Sequence, residues 1–162
     1  MRFFLLAVFY CGFAVSPVHA QAPRPTLSAD SAEAIIAGCK AYGADNNLSQ
    51  ALAVTDAGGN LVAFLRMDGN GSGAGDFAIA KATAVGRWGF ATADMAEGAK
   101  EFPGFARAPH IVTVPGGVPI YTEDGKVFLG GAAASGEPPE DDVACIEAGI
   151  RAAGLTHKRA PR

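Results

Sequence analysis

ALAVTDAGGNLVAFLRM, residues 51–67, reads as two short strands and the turn between them. Residues 51–56 and 61–67 are rich in apolar and β-branched side chains, and Ala57-Gly58-Gly59-Asn60 supplies the reversal. A hairpin pairs its strands antiparallel, so the sheet is not the doubly wound parallel kind. Further along, Asp124-Gly125 is a tight-turn signal between β-type runs at 118–122 and 127–134. One more strand is predicted over 110–114, ahead of the turn Pro115-Gly116-Gly117. That makes five strands.

Helices are expected around them. Leu27-Ser28 pairs a hydrophobic residue with an N-cap, and Ala32, Ile35, Ile36, Cys39 and Tyr42 then recur at helical spacing to about Asn47. Residues 68–75 are too glycine-rich for a regular element, so the second helix is predicted over 76–90. The glycine run is neither a P-loop nor a dinucleotide fingerprint. A shorter helix capped by Thr92 or Asp94 follows through Lys100, and a final helix over 140–153 stops at Gly154. The order α-β-β-α-β-β-β-α describes an α+β domain over 27–155, a five-stranded antiparallel sheet flanked by helices. Residues 21–26 form a loose lead-in, and the tail 156–162 is expected to fray.

Residues 1–20 read as an export signal. Arg2 gives a positive start, residues 3–15 are an unbroken apolar run, and Val18-His19-Ala20 offers the cleavage site. The run is short for a bilayer span, and no second one follows, so no membrane span remains after cleavage. The expected location is periplasmic or secreted. Basic residues number 13 against 16 acidic ones, and the signal removes one of the basic ones. That balance argues against nucleic-acid binding. Cys11 leaves with the signal, which leaves Cys39 and Cys145, a disulfide candidate in an oxidising compartment or else two buried thiols.

Several short motifs occur in order: the 54–62 turn, Arg66-Met67-Asp68-Gly69, Lys81-Ala82-Thr83-Ala84, Pro115-Gly116-Gly117-Val118-Pro119-Ile120 and 130–136, then Asp141-Asp142-Val143-Ala144-Cys145. The set resembles the GlcG/HbpS family of haem-binding domains, related to the C-terminal domain of the PduO proteins. The resemblance implies a profilin-like or PAS-like fold, homo-oligomers, and haem as ligand. It also implies that the first and last helices lie side by side on the sheet. Ala144, Cys145, Ala148 and Ala152 share a face of small residues on the last helix, so Cys145 would meet Cys39 there. One departure concerns iron: the acidic E-x-x-E pair of the secreted haem-sensing branch is absent, since the matching stretch is Asp76-Phe77-Ala78-Ile79.

Haem requires an iron ligand, apolar surface and cations for its propionates. His110, beside Phe102 and Phe105, is the preferred ligand, against a plain strand-edge histidine. Arg66 and Lys81 are the cations, each with a salt bridge as the ordinary alternative. Met67 and Tyr121 are the next ligands in line, and Trp88, Phe90, Phe102 and Phe105 offer stacking faces or core packing. His157, in the charged tail, reads as a solvated residue. No nucleophile–base pair declares itself. Two other functions compete: binding or processing of another small organic ligand such as a 2-hydroxy acid, and an oligomeric accessory protein without ligand.

Overall fold

The computed structural model describes residues 23–161, so the export signal expected over residues 1–20 lies outside the described residues. Helix α1 (Ala29–Asn46) is followed by strands β1 (Ala51–Asp56) and β2 (Leu61–Arg66), then helices α2 (Ser72–Trp88) and α3 (Thr92–Glu101). A short 3-10 helix (Pro103–Arg107), strands β3 (Gly117–Tyr121) and β4 (Phe128–Ser135) and helix α4 (Pro139–Ala152) complete the order. The sheet has four strands in the order β2-β1-β4-β3, all neighbours antiparallel.

Two layers of helix enclose it. On one face Leu52, Val54, Ile120 and Ala132 meet Ile35 of α1 and Ile146 and Ile150 of α4. Each leucine, valine or isoleucine among them, taken fully out of water, contributes about 1.5–3 kcal/mol. On the other face Ala51, Ala53 and Ala133 are small, which lets α2 lie close through Ala78 and Ala82. Ser28 caps α1 by accepting the Ser31 N–H at 3.1 Å. α1 and α4 touch backbone to backbone, since a Cβ on Gly149 would sit 2.3 Å from the Ile35 carbonyl. The small-residue face of α4 makes that approach, and the Cys39–Cys145 disulfide joins the two helices with its Cα atoms 4.8 Å apart.

Four expectations need correction. The five-stranded sheet has four strands, because residues 110–114 pair with no strand among the described residues: Ala108–Ile111 is a turn, and β3 is an edge strand. Pro119 in β3 suits an edge, having no N–H to give. The outer side of Tyr121 is taken instead by Thr156, through bonds of 2.8 and 3.2 Å. The tail is therefore tied down, and Ala160 N–H donates to the Gly125 carbonyl at 2.9 Å. Helix α2 starts at Ser72, inside the glycine run, where the Phe64 ring and the Arg66 stem pack over Gly75. Thr92 does not cap α3; it is buried, and its hydroxyl accepts the Gly117 N–H at 3.0 Å.

Candidate functional site

The 3-10 helix and the turn after it carry His110. Ala108 C=O accepts the Ile111 N–H at 3.2 Å, Pro109 holds the second position, and His110 at the third has φ 61°. Proline followed by a positive φ is the type II turn pattern, in which glycine or asparagine usually fills the third position. A histidine there pays backbone strain of about 1–3 kcal/mol. The turn is pinned by Trp88, whose indole N–H donates to the Pro109 carbonyl at 2.9 Å. The imidazole itself is exposed and makes no hydrogen bond or ion pair among the described residues.

Trp88 brings one further ring to this turn. Trp88 and Phe105 meet edge to face at 5.7 Å, and the Phe105 ring rests against Gly98 of α3. Phe105 is half-buried, whereas Phe102 and Phe90 keep 64% and 51% of their surface exposed. Phe90, two residues after Trp88, and Phe102, three before Phe105, thus leave two large rings in solvent. Arg107, three residues before His110, is exposed and makes no ion pair among the described residues. Sequence reasoning passed over Arg107; its spacing from His110 was the available signal.

The other expected site residues lie elsewhere. Arg66 ends β2, passes over Gly75 and donates to the Asn70 carbonyl, not to Asp56 or Asp68. From Gly75 to Trp88, α2 runs roughly 20 Å, so Arg66 and His110 stand at opposite ends of one helix. Met67 is committed too: its sulfur accepts the Gln50 N–H at 3.4 Å and its methyl fills the space beside Gly43. Tyr121 is buried against Phe128. His157 is not solvated; its side chain is 19% exposed and its Nε2 lies 3.4 Å from Glu147.

Lys81 is the largest departure. It is 1% exposed, and its ammonium sits 3.0 Å from Asp142 Oδ2, 3.1 Å from the Ala134 carbonyl and 4.8 Å from the centroid of the Phe77 ring. Asp142 Oδ1 in turn accepts Gln50 Nε2 at 3.0 Å and the Glu137 N–H at 3.3 Å. The pair ties α2 on one side of the sheet to α4 on the other. Gly116, at φ 126°, lids it: a Cβ there would lie 2.4 Å from the ammonium. In this structure Lys81 is an internal tie, out of reach of a surface ligand.

A family model described as haem degrading protein HbpS-like matches residues 27–151. The chain belongs to the HbpS-like family. Among solved structures, HbpS itself is similar at 21% identity and TM-score 0.75, over 84% of this chain and 96% of that one. The Klebsiella pneumoniae protein ORFY is similar at 19% identity and TM-score 0.76, over 85% and 97%. A PduOC–haem complex is similar at 18% identity and TM-score 0.74, over 83% of this chain and all of that one. No curated protein matches in sequence. At these identities the structural likeness establishes the HbpS-like fold.

Proposed function

We propose that this HbpS-like domain is an exported haem-binding protein that holds haem against the His110 turn. Membership of a family described as haem-degrading, and the fold it shares with a PduOC–haem complex, support the ligand. The observation that carries the site is the exposed, unpartnered His110 imidazole on a strained turn pinned by Trp88. The residues fit the group: an imidazole nitrogen for iron, Trp88 and Phe102 as apolar faces, and Arg107 as the propionate cation. Arg107 thus takes the part first expected of Arg66 and Lys81. The bound haem would supply the iron chemistry, while His110 holds the metal and the rings shield the macrocycle from water.

Export to the periplasm or beyond follows from the leader at 1–20, and the Cys39–Cys145 disulfide supports an oxidising location. Self-association into a homo-oligomer belongs to the same proposal. Hemin titration of the signal-free protein, followed in the Soret region, tests the reading. Saturable binding that His110→Ala weakens by tenfold or more, about 1.4 kcal/mol, is the expected result.

A further inference from the structure

The lead-in before α1 lies along the end of the sheet where the β1–β2 and β3–β4 connections turn. Two cavities lie between it and those turns. The larger, about 700 Å³, is lined by Pro23, Arg24, Pro25, Lys126, Val127 and Phe128 among others. The smaller, about 280 Å³, reaches on to Leu27, Asp56, Gly58, Val62 and Leu129. Pro25, Thr26, Ala57 and Phe128 line both, so the two are parts of one cleft. Its size is that of a small-molecule site.

The two ends of the cleft differ in chemistry. Arg24 and Lys126 line only the larger part. Arg24 is exposed and has no ion pair among the described residues. Lys126 stands 3.3 Å from Asp124, but both side chains are more than half exposed, so that pair is weak. Asp124 also accepts the Thr122 hydroxyl at 2.6 Å and the Lys126 N–H at 3.1 Å. It stays satisfied when the Lys126 ammonium turns to a ligand. The tail crosses the same turn, where the Ala160 N–H meets the Gly125 carbonyl, and brings the backbone of Lys158 and Arg159 to this end.

At the other end, Leu27, Val62 and Leu129 belong to the apolar layer beneath α1 and α4. The one carboxylate there, Asp56, is spent on its own turn, accepting the Gly58 N–H at 2.8 Å and the Asn60 N–H at 2.9 Å. Its charge repels an anionic head and leaves that end to an apolar tail.

We propose that this cleft binds a medium-chain alkyl carboxylate, its head between Arg24 and Lys126 and its chain running toward Val62 and Leu129. A guanidinium fork matches a carboxylate, and the lysine adds a second charge. The site goes beyond the haem reading and is separate from it. The His110 turn hangs on Trp88 at the end of α2, and α2 packs on the opposite face of the sheet.

Calorimetric titration of the signal-free protein with dodecanoate, below its micelle concentration and at low ionic strength, tests the proposal. Saturable binding to one site is the expected result. Butyrate, which lacks the tail, and dodecyltrimethylammonium, which reverses the head, should each bind more weakly by about tenfold or more. Arg24→Glu and Lys126→Glu, both at exposed positions, should each weaken dodecanoate by about tenfold while hemin affinity stays at the wild-type value. Absence of saturable dodecanoate binding would overturn the proposal. So would dodecyltrimethylammonium binding as tightly as dodecanoate, or dodecanoate affinity unchanged in both variants. Hemin that displaced dodecanoate competitively would give the cleft to haem and overturn it as well.

Discussion

Replacing Lys81 by methionine separates an internal tie from a ligand contact. The ammonium is 1% exposed and spends its donors on Asp142 and the Ala134 carbonyl. Methionine keeps most of the volume but leaves the 2% exposed Asp142 carboxylate without its counter-charge. Breaking one half of a buried pair costs about 3–5 kcal/mol. The carboxylate still accepts from Gln50 Nε2 and the Glu137 N–H, which places Lys81→Met near the lower end, at about 3 kcal/mol. Asp142→Leu strands a cation with only a carbonyl and the Phe77 ring, so it should cost about 4 kcal/mol. Removing both charges together should cost less than either single change, because no buried ion is left behind. Urea unfolding of the four proteins gives the coupling directly, and a loss of 3 kcal/mol lowers Tm by about 10 °C at this size. Hemin affinity of folded Lys81→Met should match wild type. A variant within about 1 kcal/mol of wild type that has lost hemin affinity would refute the reasoning and return Lys81 to the propionates.

Other perturbations follow from the same geometry. His110→Gly relieves the positive φ, so the protein should be at least as stable as wild type by thermal melting while its hemin affinity falls; a marked drop in Tm would mean that His110 is held there for the fold. Burial acts to raise the Asp56 pKa, but the Asn60 side chain and the N–H groups of Asn60, Gly58 and Gly59 together hold it below the ordinary value. A depressed folded pKa gives stability that is present above the unfolded value and lost as pH falls through the folded one, so Asp56→Asn should flatten the loss of stability below about pH 4 in acid unfolding curves. Cys39 and Cys145 are fully buried, so thiol reagents should find no thiol until the protein is both unfolded and reduced. Their replacement by alanines should cost about 2–5 kcal/mol in urea, and free thiols in protein purified without reductant would contradict the bond.

Much of the fold was legible because it depends on local pattern. The 51–67 hairpin announces itself through turn residues between two β-type runs, and α1 and α4 through their apolar spacing. The disulfide needed one further premise, that the two helices lie side by side. What failed to read out depends on partners distant in sequence. The run Ile111-Val112-Thr113-Val114 has strand propensity, but the Ala108–Ile111 turn and the Thr156 contact on Tyr121 leave it nothing to pair with. Glycines disfavour the start of α2 locally, yet packing of Phe64 and Arg66 over Gly75 carries the helix back to Ser72. Lys81 looked available because its partner, Asp142, stands 61 positions away. Adjacency in sequence puts Phe105 and the His110 turn on the same Trp88, while Arg66 lies at the other end of α2, which local pattern does not reveal.

The central claim is that the HbpS-like domain binds haem at the His110 turn. Its most direct test is the Soret spectrum of signal-free protein titrated with hemin, with His110→Gly and Arg107→Ala measured beside wild type. The account predicts a saturable band for wild type at micromolar protein, altered spin-state bands in His110→Gly, and weaker binding in Arg107→Ala with the wild-type band positions. No saturable shift in wild type, or identical spectra and affinities in all three proteins, would contradict it.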